Sequence, residues 1–127
     1  LLLQMDIEGY EYEVLNSVNE SLLQRFRIVI VEFHNLRTML NGRSAHWQGI
    51  RAAVDRLLAH HTCVHAHPNN TATIDKARDV EIPDLMELTF LRTDRSSSWQ
   101  DWPGFPHPLD CCNDPSRPAM ALPPCWY

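Results

Sequence analysis

No apolar run in the chain approaches the roughly 20 residues that a membrane-crossing helix needs; the longest, such as Ile28 to Val31, is only a few residues long. Basic charge is also short. Eleven Lys plus Arg stand against 16 Asp plus Glu, a formal net charge of −5, so there is no positive field to gather the phosphates of a nucleic acid. Neither a membrane nor a nucleic acid is expected as a partner. The four glycines, at 9, 42, 49 and 104, are scattered, so no G-x-G-x-x-G turn or P-loop occurs. The four cysteines, at 63, 111, 112 and 125, lack the paired spacing of a zinc site. They read as free thiols of a reducing compartment, which makes the expected location cytoplasmic. The opening Leu1-Leu2-Leu3-Gln4-Met5-Asp6 has neither a basic n-region nor a small-residue cleavage site, and reads as a strand begun in its middle.

Proline is unevenly placed. Only Pro68 and Pro83 precede residue 92, whereas seven follow it, interleaved with Trp99, Trp102, Phe105 and Trp126. Proline removes a backbone donor and fixes φ, so residues 93–127 are expected as an extended tail, with the aromatics packed against a surface. Residues 1–92 form the folded unit in this reading. There, Leu1 to Glu8 is an apolar strand ending in carboxylates, and Gly9 allows a sharp turn. Val14, Leu15, Val18, Leu22 and Phe26 follow at helical spacing, and Asn19 or Ser21 can cap a second short helix. Arg27 to His34 predicts a strand buried on both faces. Ser44 can cap a helix with the stripe Trp47, Ile50, Val54, Leu57, Leu58 and His61. Thr62 to His67 and Leu85 to Arg92 are the last strands, and Asn70 to Asp84 reads as a connection between them. The order β-α-β-α-β-β gives an α/β fold with parallel strands and a last strand that runs antiparallel.

Asp6-Ile7-Glu8-Gly9-Tyr10-Glu11-Tyr12-Glu13-Val14-Leu15, followed by Ile28-Val29-Ile30-Val31-Glu32-Phe33-His34, resembles the C-terminal half of the FkbM-type methyltransferases. His65-Ala66-His67-Pro68-Asn69-Asn70 and Leu85-Met86-Glu87-Leu88-Thr89-Phe90-Leu91-Arg92 look like segments of the same family. The resemblance covers roughly residues 1 to 92, with an expected extension into Pro108-Leu109-Asp110. It implies the class I methyltransferase fold, a doubly wound Rossmann-like sheet of strand order 3-2-1-4-5-7-6 with strand 7 antiparallel, of which this chain would supply strands 4 to 7. It also implies S-adenosylmethionine as methyl donor and a hydroxyl of a small molecule or sugar as acceptor. The family's donor-binding glycine-rich loop and ribose-binding acid belong to strands 1 and 2, so the chain is expected to be a fragment, inactive alone, whose donor is bound mainly by a missing N-terminal half.

In open α/β sheets the ligand lies beyond the carboxyl ends of the parallel strands. Asp6 and Glu8, Glu32 and His34, and His65 and His67 gather there. Methyl transfer to an alcohol requires removal of the hydroxyl proton, for which His34 is the first candidate base and Asp6 the rival. Glu8, Glu32, His65, His67, Asn69 and Asn70 are candidate substrate contacts. Each has a plainer role available: Asp6 and Glu8 as acceptors for backbone N–H groups of the following helix, Glu32 and His34 as partners of one another, and Asn69-Asn70 as a turn. His65 and His67 share a strand face and could ligate one metal ion with Asp6 or Glu8, although no metal is assigned. Glu11 and Glu13 are expected on a solvated face of a helix's first turn. Two other functions fit the same residues, a non-catalytic binding module and a metal-dependent hydrolase.

Overall fold

A computed structural model describes residues 1–42, 44–96, 98 and 105–126. The element order is β1 (Leu2–Met5), α1 (Glu11–Ser17), α2 (Glu20–Leu23), β2 (Ile28–Phe33), a 3-10 turn at Leu36–Leu40, α3 (Ala45–Leu58), β3 (His61–Pro68), β4 (Ile74–Ala77), β5 (Val80–Pro83) and β6 (Met86–Arg92). Four strands form one sheet in the order β1-β2-β6-β3. β1 runs parallel to β2, while β6 runs antiparallel to both β2 and β3. The protein is therefore mixed α/β with one reversed strand, as the periodicities predicted.

Both crossovers, β1 to β2 and β2 to β3, move the same way across the sheet. Right-handed crossovers of that kind lay their helices on one face, and α1 and α3 pack against each other there. On that face Val29, Val31 and Phe33 of β2 meet Phe90 and Met86 of β6. Tyr12 of α1 stacks on Phe33 at 5.6 Å, and Phe90 meets Phe33 edge-on at 6.4 Å. Leu15, Leu23, Ile50, Ala53 and Leu57 complete the core.

β2 is not buried on both faces: Ile28, Ile30 and Glu32 are only half-buried, in strict alternation with their buried neighbours. The helices shield one face, while on the other His65 and His67 meet Asp110 of the C-terminal segment. The helical stripes differ in detail too. Val14, Leu22 and Leu58 are exposed, and Tyr12, Leu23 and Ala53 take the inward positions. Both expected caps form: Asn19 Oδ1 accepts from the Ser21 N–H at 2.8 Å, and Ser44 Oγ accepts from the Trp47 N–H at 3.1 Å. α3 ends at Leu58, so His61, expected on its stripe, opens β3 instead and is buried.

The connection expected at Asn70 to Asp84 is a hairpin, with Ala77 paired to Val80 across Arg78-Asp79. Its turn lacks the Asn-Gly or Asp-Gly that announces a two-residue loop, and Arg78 supplies the positive φ of 56° itself. In the tail, Phe105, Leu122 and Trp126 pack against the core, and the Trp126 indole donates to the Glu81 carbonyl at 3.0 Å. Trp99 and Trp102 lie outside the described residues. Among the described residues no helix is long and apolar enough to cross a membrane.

Candidate active site

The carboxyl ends of β1, β2 and β3 face one edge of the sheet, and the residues that follow them carry the polar groups. β2 ends at Phe33, which turns His34 towards the segment leaving β1. That segment doubles back sharply, with Glu8 at φ 59° and Gly9 at φ 100°. A left-handed glutamate is uncommon and costs energy that the surroundings must offset. What it achieves is to bring Asp6, Glu8 and Glu11 around one imidazole.

His34 Nδ1 lies 2.9 Å from Glu11 Oε1. The same oxygen accepts from the Gly9 N–H at 3.0 Å and the Ile7 N–H at 3.3 Å. A carboxylate acceptor at Nδ1 places the ring hydrogen there and leaves the Nε2 lone pair outward. Nε2 then faces Glu8 Oε2 at 3.5 Å, Asp6 Oδ1 at 3.9 Å and Glu32 Oε2 at 3.9 Å. The Tyr12 hydroxyl donates to the His34 carbonyl at 2.6 Å and holds the backbone of the same residue. Burial, then the nearby Glu11 and Asp84 carboxylates, push the Tyr12 phenol far above its ordinary value, so it is a donor throughout the physiological range.

Four of the eight residues expected to act at this edge, His34, Asp6, Glu8 and Glu32, are thus brought together. Glu11 corrects the sequence reading. Far from sitting on a solvated face, it is 0% exposed, and it, not Asp6 or Glu8, takes the free N–H groups of the turn. Its other oxygen, Oε2, is buried with no hydrogen-bond partner. The signal was present, since Glu11 is the last letter of the D-x-E-G-x-E run, and a first-turn glutamate that reaches back to preceding N–H groups is a known capping arrangement.

Glu32 joins this cluster to a second one. Its Oε1 accepts from Asn69 Nδ2 at 2.8 Å, and it borders a polar hollow of about 230 Å³ lined also by His65, His67, Glu87 and Asp110. Burial raises the Glu32 carboxyl above its ordinary value, against the lowering effect of the Asn69 bond. His65 Nε2 contacts Asp110 Oδ1 at 2.8 Å. Asp110, in the tail, therefore stands where the sequence reading put Asp6 or Glu8, which remain with His34 on the β1 side of the sheet.

Asn69 and Asn70 follow β3, and both are buried. Asn69 Oδ1 accepts from the Thr71 N–H at 3.0 Å, the expected turn, while its amide nitrogen reaches Glu32. The Asn70 amide is engaged with the tail, donating to the Asp114 carbonyl at 2.8 Å and accepting from the Asp114 N–H at 2.9 Å. Asp84 returns at the same edge and accepts from the Arg37 N–H at 3.0 Å, which fixes the 3-10 turn. Beside that turn, Met39, Leu40, Trp47, Val80 and Ile82 line an open apolar groove of about 880 Å³.

The chain is thus a mixed α/β protein whose strand ends converge on a histidine held by a buried glutamate. The methyltransferase FkbM domain matches residues 2–80, and the chain belongs to that family. Comparison with the curated proteins and with the solved structures gives no match.

Proposed function

We propose that the chain is the acceptor-activating half of a class I methyltransferase domain and prepares a hydroxyl of a small molecule or sugar for O-methylation. The observation that carries this reading is the 2.9 Å contact of buried Glu11 with His34 Nδ1, which aims the opposite ring nitrogen into the polar edge. The strand order supports it: β1-β2-β6-β3 with only β6 reversed corresponds to the 4-5-7-6 portion of the class I sheet.

His34 Nε2 takes the proton from the acceptor hydroxyl as its oxygen becomes nucleophilic. Glu11 keeps the ring oriented and, with Glu8, Asp6 and Glu32, stabilises the imidazolium that forms. Glu8, whose side chain is 86% exposed, accepts hydrogen bonds from further hydroxyls of a polyhydroxylated acceptor. S-Adenosylmethionine, the donor this family generally uses, supplies an electrophilic methyl group when bound. The residues present do not fit the donor by themselves, because the four glycines stand apart in the sequence and no glycine-rich loop follows any strand.

The test is methyl-labelled S-adenosylmethionine with a panel of alcohols and sugars, using the protein expressed from its full coding sequence. Transfer to a hydroxyl is expected. His34→Ala should lower turnover by about 10²-fold or more while donor affinity stays the same. Unchanged turnover removes His34 from the mechanism. Failure of the unsubstituted protein to bind donor at all leaves a non-catalytic binding module in its place.

A further inference from the structure

Across the sheet from His34, β3 presents His65 and His67 on the face that the helices leave open, with their rings parallel to within 13° and centroids 6.5 Å apart. They point towards the tail, where Asp110 sits between them: Oδ1 is 2.8 Å from His65 Nε2 and Oδ2 is 3.6 Å from His67 Nδ1. Donor atoms of the three residues all lie within 4.8 Å of one another.

The hydrogen-bond count is unbalanced at His67. Its Nε2 is 3.1 Å from the Cys111 carbonyl oxygen, and a carbonyl only accepts, so Nε2 carries the ring hydrogen. In the neutral imidazole the Nδ1 lone pair is then bare. That atom is buried without a hydrogen-bond partner, and it faces a carboxylate oxygen, another electron-rich atom. Either a proton on Nδ1 or a metal ion between the two atoms resolves that opposition. The 3.6 Å separation of Nδ1 and Oδ2 is close to the edge of about 3.3 Å spanned by two ligands of a tetrahedral Zn²⁺ with bonds of about 2.0–2.1 Å. His65 Nε2 and Asp110 Oδ1 need to part by only a few tenths of an ångström to join them.

The surroundings are those of a ligand set. A backbone carbonyl holding the non-ligating ring N–H of a histidine is the usual outer-shell support of a metal-bound imidazole, and Cys111 provides it for His67. Asp110 Oδ2 is steadied by the His107 N–H at 2.8 Å. The polar hollow beside the triad, bordered by Glu32 and Glu87, leaves room for water at a fourth position. We infer that His65, His67 and Asp110 bind one divalent transition-metal ion of the Zn²⁺ type, with water as fourth ligand, and that the ion fastens the C-terminal segment onto β3. This inference does not rest on the methyltransferase reading, since it concerns the ion alone.

Co²⁺ added to the purified, metal-stripped protein is the probe, with Zn²⁺ as competitor. One equivalent should bind and give visible absorption of a nitrogen- and oxygen-ligated ion without a thiolate charge-transfer band. His65→Gln and His67→Gln should each weaken binding by at least the roughly 10–100-fold that loss of an outer-shell partner alone costs. The exposed thiols of Cys111 and Cys112 are the competing donors, so a Cys111→Ser/Cys112→Ser protein should bind unchanged. Absence of saturable 1:1 binding overturns the site, as does binding that survives the histidine changes or is lost with the thiols. X-ray absorption of the Zn²⁺-loaded unsubstituted protein asks the same question without any variant. Imidazole scattering in a nitrogen and oxygen shell is expected, and sulfur ligation or a shell without imidazole overturns the site.

Discussion

Glu32 is a carboxylate that the fold holds against its preference for water. Burial raises its carboxyl first, the Asn69 hydrogen bond opposes that, and the Asp6 charge adds to the rise. A carboxyl raised in the folded state favours the protonated form there. Its contribution to stability is therefore complete below the unfolded value of about 4.3 and is lost as pH rises through the higher folded value. Glu32→Gln keeps an oxygen for Asn69 to donate to and removes the titration. Urea denaturation across the acid to neutral range should show the variant more stable than the parent at neutral pH, with the difference closing towards pH 4. A variant less stable at neutral pH means that the charge-assisted bond to Asn69 outweighs burial. The same balance explains why Glu32 was found and Glu11 misjudged. A glutamate in a β-branched strand advertises an edge, whereas a glutamate in a helix's first turn is ordinarily solvated, and only the left-handed turn before it folds Glu11 inward.

The turn between β1 and α1 sets the geometry of the candidate base. Gly9 adopts φ 100°, and a Cβ built there would meet Asn35 Nδ2 at 3.3 Å. Asn35 itself is left-handed, at φ 59°, so the two turns that flank His34 are interlocked. Gly9→Ala should cost about 1–2 kcal/mol from backbone strain. It should also displace the Gly9 N–H from Glu11, so a loss of thermal stability is expected together with a changed His34 imidazole resonance by NMR. An unperturbed His34 signal would mean that Glu11 does not depend on this turn. Sequence periodicity read β2, α3, both caps and the reversed β6, because each of them expresses a local rule. It misread β4 and β5, whose four-residue strands are joined by Arg78-Asp79 with no turn signature. It also misread the burial of β2, because which face is covered depends on the direction of both crossovers and on no single segment.

At the scale of the whole molecule, the question is how a proline-rich segment whose regular structure, among the described residues, amounts to 3-10 turns at Thr93–Arg95 and Pro124–Trp126 is retained. Several fastenings hold it among the described residues, including the His67 contact with the Cys111 carbonyl and the Arg117 bond to the Thr71 carbonyl. Asp110 meets His65 on the open face, Trp126 donates to Glu81 on the hairpin, and Asn70 grips the backbone of Asp114 from both sides of its amide. Proline-rich chain loses comparatively little entropy when it is laid out extended, so a few specific bonds and the burial of Phe105 and Leu122 can hold it. The aromatic packing was legible beforehand in the Trp and Phe among the prolines, but the bonds were not, since the pairing of Asn70 with Asp114 spans 44 residues and no local pattern encodes it. Asn70 is the fastening whose loss water least repairs, because it is 6% exposed. Asn70→Ala leaves the Asp114 N–H and carbonyl without their partner, and should lower stability by about 1–3 kcal/mol. Hydrogen exchange separates the tail from the sheet. The Asp114 amide should exchange far faster in the variant, while Val29 and Val31 in β2 lose only the protection that the global destabilisation removes. If Asp114 stays protected while the sheet loosens, Asn70 supports the end of β3 and the tail is held by its apolar contacts instead.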